Sequence, residues 1–284
     1  MVKNILVASD FSAHADRALE RAIYLAHQFG AQRHLIHVMN LLKLPQWWER
    51  NEETLRQEAN DLAQAHLKGY PLAEKVDVKI HIANGDAFEE IIALSQKTKA
   101  DLIIMGLHNK TKFPDLFVGT TIERVMRKGT KPVLMVKDKP TSNYKKVAVA
   151  VDFSTSSQKA LRMATTIAPK SAFSLINIYD IPFAGFISDE HTRSFIESES
   201  VRQLDEIIEK HNETFKEKGI KAEKRLKQGA AISGILAVVD DVKPHLLAIG
   251  THARSGIGNA MIGSSAKEIL AAPPCDVLVV GDMA

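Results

Sequence analysis

The residues best suited to bind a ligand lie near the C-terminus, in the stretch IGTHARSGIGNAMIGSSAKEIL from Ile249 to Leu270. Four glycines and two adjacent serines separate an apolar run from a segment with helical spacing. Backbone N–H groups at a helix start are unpaired and carry positive partial charge, so they attract phosphate oxygens. Gly263 would let a phosphate approach that backbone closely, and Ser264 and Ser265 would add hydroxyl donors. The stretch therefore favours a phosphate site.

Other polar groups are expected at the same edge. Gly250 ends the strand-like run LLAIG, and His252 and Arg254 follow it with a hydrogen-bond donor and a cation. Asp152 follows the first apolar run of the second half of the chain. A carboxylate there can contact a ribose, an adenine edge or a phosphate-bound Mg²⁺, which makes Asp152 the candidate metal contact.

A plain helix start is the alternative reading of the same residues. Ser265-x-x-Glu268 has the spacing of a capping box, and loop glycines can simply form a turn. No GxxxxGK[ST] motif occurs, and GIGNAM begins like GxGxxG but ends in Met261. On these residues alone, phosphate binding and helix capping both remain open.

The sequence contains an internal repeat, in which the second half resembles the first. DFSAHADRAL at Asp10–Leu19 returns as DFSTSSQKAL at Asp152–Leu161, and the block Gly119–Val136 returns as Gly263–Val280. Because the blocks keep their order, we expect a tandem duplication. The predicted domains are residues 1–140 and 145–284, joined by a polar, proline-containing linker.

Each copy alternates short apolar runs with helical patterns, which predicts an α/β fold with a parallel sheet covered on both faces. Ligands of such sheets bind beyond the carboxyl ends of the strands, where the strand order reverses. Two long helices are predicted, over Glu49–Lys68 and over Arg193–Lys218.

The DFS motif after a first strand, together with GTHARSGIGNAMIGSSAKEIL and the later PCDVLVV, resembles the universal stress protein family. Its nucleotide-binding members carry Gly-x-x-Gly, nine residues, then Gly-Ser or Gly-Thr, and here only the second glycine is replaced, by Ala253. The resemblance spans both halves and implies five parallel strands per domain in the order 3-2-1-4-5, with ATP as a ligand. Carried onto this chain, it implies a site of Asp152, Ile178 (through its backbone), Gly250, His252, Arg254, Gly263, Ser264 and Ser265.

The first copy departs further from the family pattern. Asn109 stands at the second glycine, and the nine residues that follow it include the bulky Phe113, Pro114 and Phe117. Thr120-x-x-Glu123 again has capping-box spacing. We therefore expect a degenerate loop and only a second, weaker site, formed by Asp10, Val38, Gly106, Gly119 and Thr120.

Composition excludes several classes of protein. The chain of 284 residues is 45% hydrophobic with a formal net charge of +3, and it has no dense basic stripe, so nucleic-acid binding is not expected. No apolar run approaches the ~20 residues of a membrane span. The single cysteine, Cys275, cannot form an intrachain disulfide, which fits a reducing compartment and predicts a cytoplasmic protein.

The sequence thus predicts a stress-response protein that binds ATP in its C-terminal half and acts through nucleotide-dependent binding. Slow hydrolysis with Mg²⁺ at Asp152 stays open, but no residue is an evident water-activating base. The alternative is a module without nucleotide that captures a hydrophobic metabolite or a protein through the apolar segments LLKLPQWW and IPFAGFIS. We also expect a homodimer.

Overall fold

The structure, a computed structural model, describes residues 1–41, 51–70, 77–107, 120–180, 190–251 and 263–281. The chain forms two compact units, Met1–Asn143 and Tyr144–Asp282. The N-terminal unit contains β1 (Asn4–Ala8), α1 (Ala13–Phe29), β2 (Gln32–Met39), α2 (Glu52–Lys68), β3 (Val78–Asn84), α3 (Ala87–Lys97), β4 (Leu102–Gly106), α4 (Thr121–Lys128) and β5 (Val133–Val136). The C-terminal unit contains β6 (Lys146–Ala150), α5 (Thr155–Ile167), β7 (Ala172–Tyr179), α6 (Glu190–Lys210), α7 (Asn212–Glu217), β8 (Lys221–Gln228), α8 (Ala231–Val242), β9 (Leu246–Gly250), α9 (Ser264–Ala271) and β10 (Asp276–Val280). Within these ranges, no helix is both long and apolar enough to cross a membrane.

Within the described ranges, each unit contains five parallel strands. In the N-terminal unit they lie in the order β3-β2-β1-β4-β5. In the C-terminal unit the corresponding order is β8-β7-β6-β9-β10. Both match the predicted order 3-2-1-4-5, so the predicted fold class is confirmed. The order reverses beside the first strand of each sheet, and a cleft at the carboxyl ends is expected there.

The central strands are buried on both faces. Ile5, Leu6 and Val7 in β1 are fully buried, and so are Leu246 and Leu247 in β9. Helices α1 and α3 pack on the N-terminal sheet, and α5 and α8 pack on the C-terminal sheet. Strands that are buried on both faces are continuous apolar runs rather than alternating ones.

The repeated DFS motif fixes where the first helix of each unit begins. Ser12 Oγ accepts a hydrogen bond from Ala15 N at 3.3 Å, and Ser154 Oγ accepts one from Ser157 N at 3.2 Å. Each serine is therefore an N-cap. The motif sets the position of the preceding aspartate by setting the start of the helix.

Both long helices differ from their predicted bounds. The helix predicted over Arg193–Lys218 is two helices, because His211 leaves helical geometry with φ −105° and ψ 4°. Helix α2 begins at Glu52 rather than Glu49, since Asn51 Oδ1 accepts a hydrogen bond from Glu53 N at 3.0 Å and caps it.

Candidate functional site

The C-terminal unit has a cleft at the carboxyl ends of β6, β7 and β9, between α8 and α9. Its empty volume is about 770 Å³, part of it open to solvent. The lining residues are Ala150, Val151, Asp152, Ser157, Ile176, Ile178, Ala231, Ile235, Ile249, Gly250, Thr251, Gly263, Ser264, Ser265, Ala266 and Ile269. We call this the C-terminal cleft.

Asp152 is positioned by a turn between β6 and α5. Its Oδ1 atom accepts hydrogen bonds from Ser154 N at 3.0 Å and Ser154 Oγ at 2.5 Å. The residue between them, Phe153, has φ 65°, in the left-handed region. These interactions hold one carboxylate oxygen and set the orientation of the side chain at the cleft wall.

Gly250 is required by packing at the end of β9. A Cβ atom at this position would lie 2.6 Å from Ser156 Oγ and 2.7 Å from Ser157 N. Such distances are shorter than van der Waals contact. The absent side chain therefore lets the strand end press against the first turn of α5, beside Asp152.

Among the described residues, no side chain caps the start of helix α9 at the cleft. Gly263 occupies the N-cap position and has no side chain that could cap the helix. Its N–H donates to Thr251 O at 2.8 Å. Ser265 is the second residue of the helix rather than its cap, so the Ser265–Glu268 capping box does not form. An uncapped helix start directs partial positive charge into the space beside it.

The C-terminal cleft brings together six of the eight residues predicted for it. Those six are Asp152, Ile178, Gly250, Gly263, Ser264 and Ser265. The other two, His252 and Arg254, lie outside the described residues, as does Ala253. The apolar segments proposed for the alternative function fall on residues 41–48 and 181–188, which apart from Leu41 are also outside the described parts of the chain.

Sequence reasoning missed the apolar wall contributed by α8. Ala231 and Ile235 line the cleft from this helix. Gly234 lies between them, and a Cβ there would lie 2.8 Å from Ile178 Cδ1, so the glycine admits the Ile178 side chain under the helix. An isolated glycine inside a helical pattern was the available signal.

The N-terminal unit has a corresponding cleft between α3 and α4, with an empty volume of about 690 Å³. We call it the N-terminal cleft. Of the predicted weaker site, Asp10, Val38 and Gly106 line it, Thr120 is adjacent to the lining residue Thr121, and Gly119 lies outside the described residues. The lining residues are Ala8, Ser9, Asp10, Ser12, Ala15, Ile36, Val38, Ala87, Ile91, Met105, Gly106, Leu107, Thr121 and Ile122.

The start of α4 differs from the start of α9. Thr120 is the N-cap, and its Oγ1 atom accepts a hydrogen bond from Glu123 N at 3.2 Å. One helix N–H group that could bind an anion is therefore already occupied by the chain. The capping role predicted for Thr120 agrees with this geometry.

Two contacts also join α3 to α4 near the N-terminal cleft. Arg124 Nη1 in α4 lies 3.0 Å from Oδ2 of Asp86, the N-cap of α3. The Arg124 guanidinium also lies 3.5 Å from the centre of the Phe88 ring, a cation–π contact. At the N-cap of α8, the equivalent residue Ala230 makes no side-chain cap.

The described residues hold no preformed metal centre. Among them, no three His, Cys, Asp or Glu side chains are grouped to bind a metal ion. A magnesium ion at Asp152 would need further ligands, which the phosphates of a bound nucleotide can supply.

Comparison with known proteins gives a consistent picture over both halves. The chain matches the universal stress protein family over residues 1–137 and 143–281. It is 33% identical over 144 residues to universal stress protein MJ0531 of Methanocaldococcus jannaschii, covering 48% of this chain and 83% of that protein. It is 24% identical over 309 residues to universal stress protein E of Escherichia coli, covering 99% of this chain and 94% of that protein. The fold resembles the crystal structure of a universal stress protein from Archaeoglobus fulgidus with a TM-score of 0.72, 20% identity and 98% of each chain covered.

Proposed function

The chain belongs to the universal stress protein family, and on that premise we propose that its C-terminal cleft binds ATP. The observation that carries the proposal is the uncapped start of α9 at Gly263, in the same cleft as Asp152. Family membership alone does not distinguish the two halves. The helix start does, because Thr120 caps α4 whereas no described side chain caps α9, whose first N–H groups could therefore bind phosphates.

Each part of the nucleotide has a matching part of the cleft. The phosphates would lie against the N–H groups of α9 and the hydroxyls of Ser264 and Ser265. The ribose hydroxyls would donate to the Asp152 carboxylate. The adenine would lie on the apolar side formed by Ile176, Ile178 and Ile235, with the backbone of Ile178 as a polar contact.

Two further residues enter the proposal from the sequence alone. His252 and Arg254 follow β9 by a few residues and would add a donor and a cation to the phosphates.

The proposed role is binding rather than efficient hydrolysis. Asp152 is the one ionisable side chain among the described residues that line the C-terminal cleft, and the Ser154 contacts already hold its Oδ1. If Asp152 contacts a magnesium ion, no described lining residue is left to activate water. We propose at most a slow ATPase, in which nucleotide binding changes how the protein meets a partner.

The proposal also covers the cellular compartment and the oligomeric state of the protein. The single cysteine, Cys275, is buried and cannot form an intrachain disulfide, which fits a reducing cytoplasm. We further propose that the protein is a homodimer, which light scattering of the purified full-length chain would test.

Calorimetric titration of Mg-ATP into the full-length chain tests the central proposal. We expect about one site per chain. Gly263→Val should weaken binding at least ~100-fold, since its side chain would occupy the space that a phosphate needs beside the helix start. A Cβ at Gly263 lies 3.2 Å from Thr251 O, so Gly263→Ala should be measured as a milder variant alongside a melting curve.

Gly119→Val is the matched control, because Gly119 is the equivalent position in the first half. It should leave the ATP dissociation constant unchanged. Binding that survives Gly263→Val in a folded protein, or that is lost in Gly119→Val, would contradict the proposed location. No ATP binding at all would leave the alternative of a hydrophobic or protein ligand as the better reading.

A further inference from the structure

Two histidines meet on neighbouring strands of the N-terminal unit, away from the mouth of its cleft. His34 in β2 is 5% exposed, and its Nδ1 atom lies 3.0 Å from Nε2 of His81 in the edge strand β3. This distance corresponds to a hydrogen bond, in which the N–H of one ring donates to the unprotonated nitrogen of the other ring. Nε2 of His34 is also buried, without a hydrogen-bond partner among the described residues.

The charged groups that face this pair are mostly positive. Lys79 on β3 and Lys97 at the end of α3 act on His81, Lys79 also acts on His34, and Asp77 provides a negative charge. Burial, followed by the His81 ring and then Lys79, lowers the pKa of His34 below its ordinary value of 6.5. Burial, followed by Lys97 and Lys79, likewise lowers the pKa of His81. The surroundings of the pair therefore favour the neutral form of both imidazole rings.

The C-terminal unit carries different chemistry at the same register positions. His34 pairs with Lys79 and Ile36 with His81, and the corresponding pairs are Ser174 with Glu223 and Ile176 with Arg225. There Ser174 Oγ donates to Glu223 Oε1 at 2.8 Å, and Arg225 Nη2 lies 2.9 Å from the same oxygen. The Ser174 hydrogen bond and then Arg225 lower the pKa of Glu223, so this cluster stays ionised in mildly acidic solution.

The histidine pair lies on the sheet face that carries the N-terminal cleft. His34, Ile36 and Val38 alternate along β2, so their side chains share one face, and Ile36 and Val38 line the cleft. Helix α3 packs on β2 and β3 and contributes Ala87 and Ile91 to the same cleft. A change at the histidine pair therefore acts on a wall of the cleft.

We propose that the His34–His81 pair is an acid-sensitive switch that releases β3 and α3 of the N-terminal unit while the C-terminal unit keeps its structure. A first proton places a charge in a buried site beside two lysines. A second proton turns both facing nitrogens into donors, and the hydrogen bond between the rings is lost. The opened segment returns both rings to water, where each is protonated more readily.

The sign of the effect follows from proton linkage. The closed state has histidine pKa values below 6.5, and the open state has values near 6.5, so the open state binds more protons below that pH. The closed state is therefore fully stable above about pH 6.5 and becomes progressively less stable as the pH falls through the lowered values.

Hydrogen exchange of the full-length chain at pH 7.5 and pH 5.0, corrected for intrinsic exchange rates, tests the proposal without any nucleotide. Acidification should increase the opening equilibrium of residues 78–84 and 87–97 by about tenfold, because the open segment binds protons that the closed one does not. Residues 221–228 and 231–242 in the C-terminal unit should change little. Equal changes in both units would overturn the proposal.

Two variants and one direct titration make the test specific. His81→Gln removes one titrating group yet keeps a hydrogen-bonding side chain, and it should reduce the acid effect to below about threefold. His27→Gln removes an exposed histidine from α1 of the same unit and should leave the acid effect unchanged. If His81→Gln fails to fold, NMR titration of the histidine rings in the unaltered protein decides. A pKa at or above 6.5 for both rings would overturn the proposal.

Discussion

The two clefts are formed by equivalent strands and helices and differ at the start of the last helix of each unit. In each, an aspartate follows the first strand, a serine caps the first helix, and a glycine ends the fourth strand. Gly106 and Gly250 hold equivalent places, and each lies where a Cβ would collide with the backbone of the first helix. These features fix the packing of strand against helix and are needed whether or not a ligand binds.

The differences lie at the start of the last helix. Thr120 caps α4, whereas Gly263 leaves the start of α9 uncapped. Asp86, Arg124 and Phe88 join α3 to α4, whereas Ala230 and Glu268 occupy the places of Asp86 and Arg124 in the other unit. Duplication has therefore kept the residues that build the cleft, while a few positions at its edge differ between the two units.

The largest expected effect tests the shared frame. In Gly106→Ala the new methyl would lie 2.3 Å from His14 O, and in Gly250→Ala it would lie 2.7 Å from Ser157 N. Backbone atoms cannot rotate away as a side chain can, so each substitution should destabilise its own unit by about 3 kcal/mol. Hydrogen exchange of the buried strands β4 and β9 would report each unit separately.

Gly69→Ala is the control for these two variants. Gly69 has right-handed geometry at the end of α2, and a Cβ there would lie 3.4 Å from His66 O, an acceptable distance. Its effect should stay within about 0.5 kcal/mol. Equal effects at all three glycines would show that the close approach at Gly106 and Gly250 is not what these residues provide.

A smaller effect should separate the two aspartates. Asp152→Asn and Asp10→Asn both keep an oxygen that can accept the turn hydrogen bond from Ser154 N or Ser12 N. Only the charge changes, so both proteins should fold. ATP affinity should fall about tenfold, or about 1.4 kcal/mol, in Asp152→Asn and remain unchanged in Asp10→Asn.

Repeating that titration without Mg²⁺ would refine the role of Asp152. If the carboxylate binds the ribose, the tenfold loss persists without the metal and appears with adenosine as well. If it acts through the metal, the loss disappears when Mg²⁺ is removed. Equal losses at Asp10 and Asp152 would remove the proposed distinction between the clefts.

Local patterns made much of the frame predictable. Apolar runs, helical spacing, capping serines and loop glycines each depend on residues a few positions apart, so the strands, most helices and the edge that carries the cleft follow from sequence. The duplication then placed Asp10 and Asp152 at equivalent points. The strand order came from the family resemblance, since pairing between distant strands leaves no local signal.

The features that were missed depend on contacts between distant parts of the chain. Arg124 meets Asp86 across 38 positions, and His34 meets His81 across 47. Neither pair has a spacing that a sequence pattern could detect. The alternative of a Ser265 cap fails for another reason: α9 begins at Ser264, one position before the point that corresponds to Thr121 in α4, so Ser265 lies inside the helix.

The smallest expected effect tests the consequence of this difference in where α4 and α9 begin. Thr120 and Ser264 are equivalent in sequence, but Thr120 caps its helix and Ser264 is the first residue within its helix. Thr120→Ala should therefore destabilise the N-terminal unit by about 1 kcal/mol without changing ATP affinity. Ser264→Ala should leave stability within about 0.5 kcal/mol and weaken ATP binding several-fold, because its hydroxyl is assigned to the phosphates.

Exchange of the buried strand amides and calorimetric titration, applied to both variants, measure the two effects independently. The expected result is a crossed pattern in which one variant changes only stability and the other changes only affinity. If both variants changed stability alone, Ser264 would be a structural residue like Thr120, and the phosphates would have to bind elsewhere in the cleft. If both changed affinity, the cap at Thr120 would not exclude a ligand, and the N-terminal cleft would have to be counted as a nucleotide site.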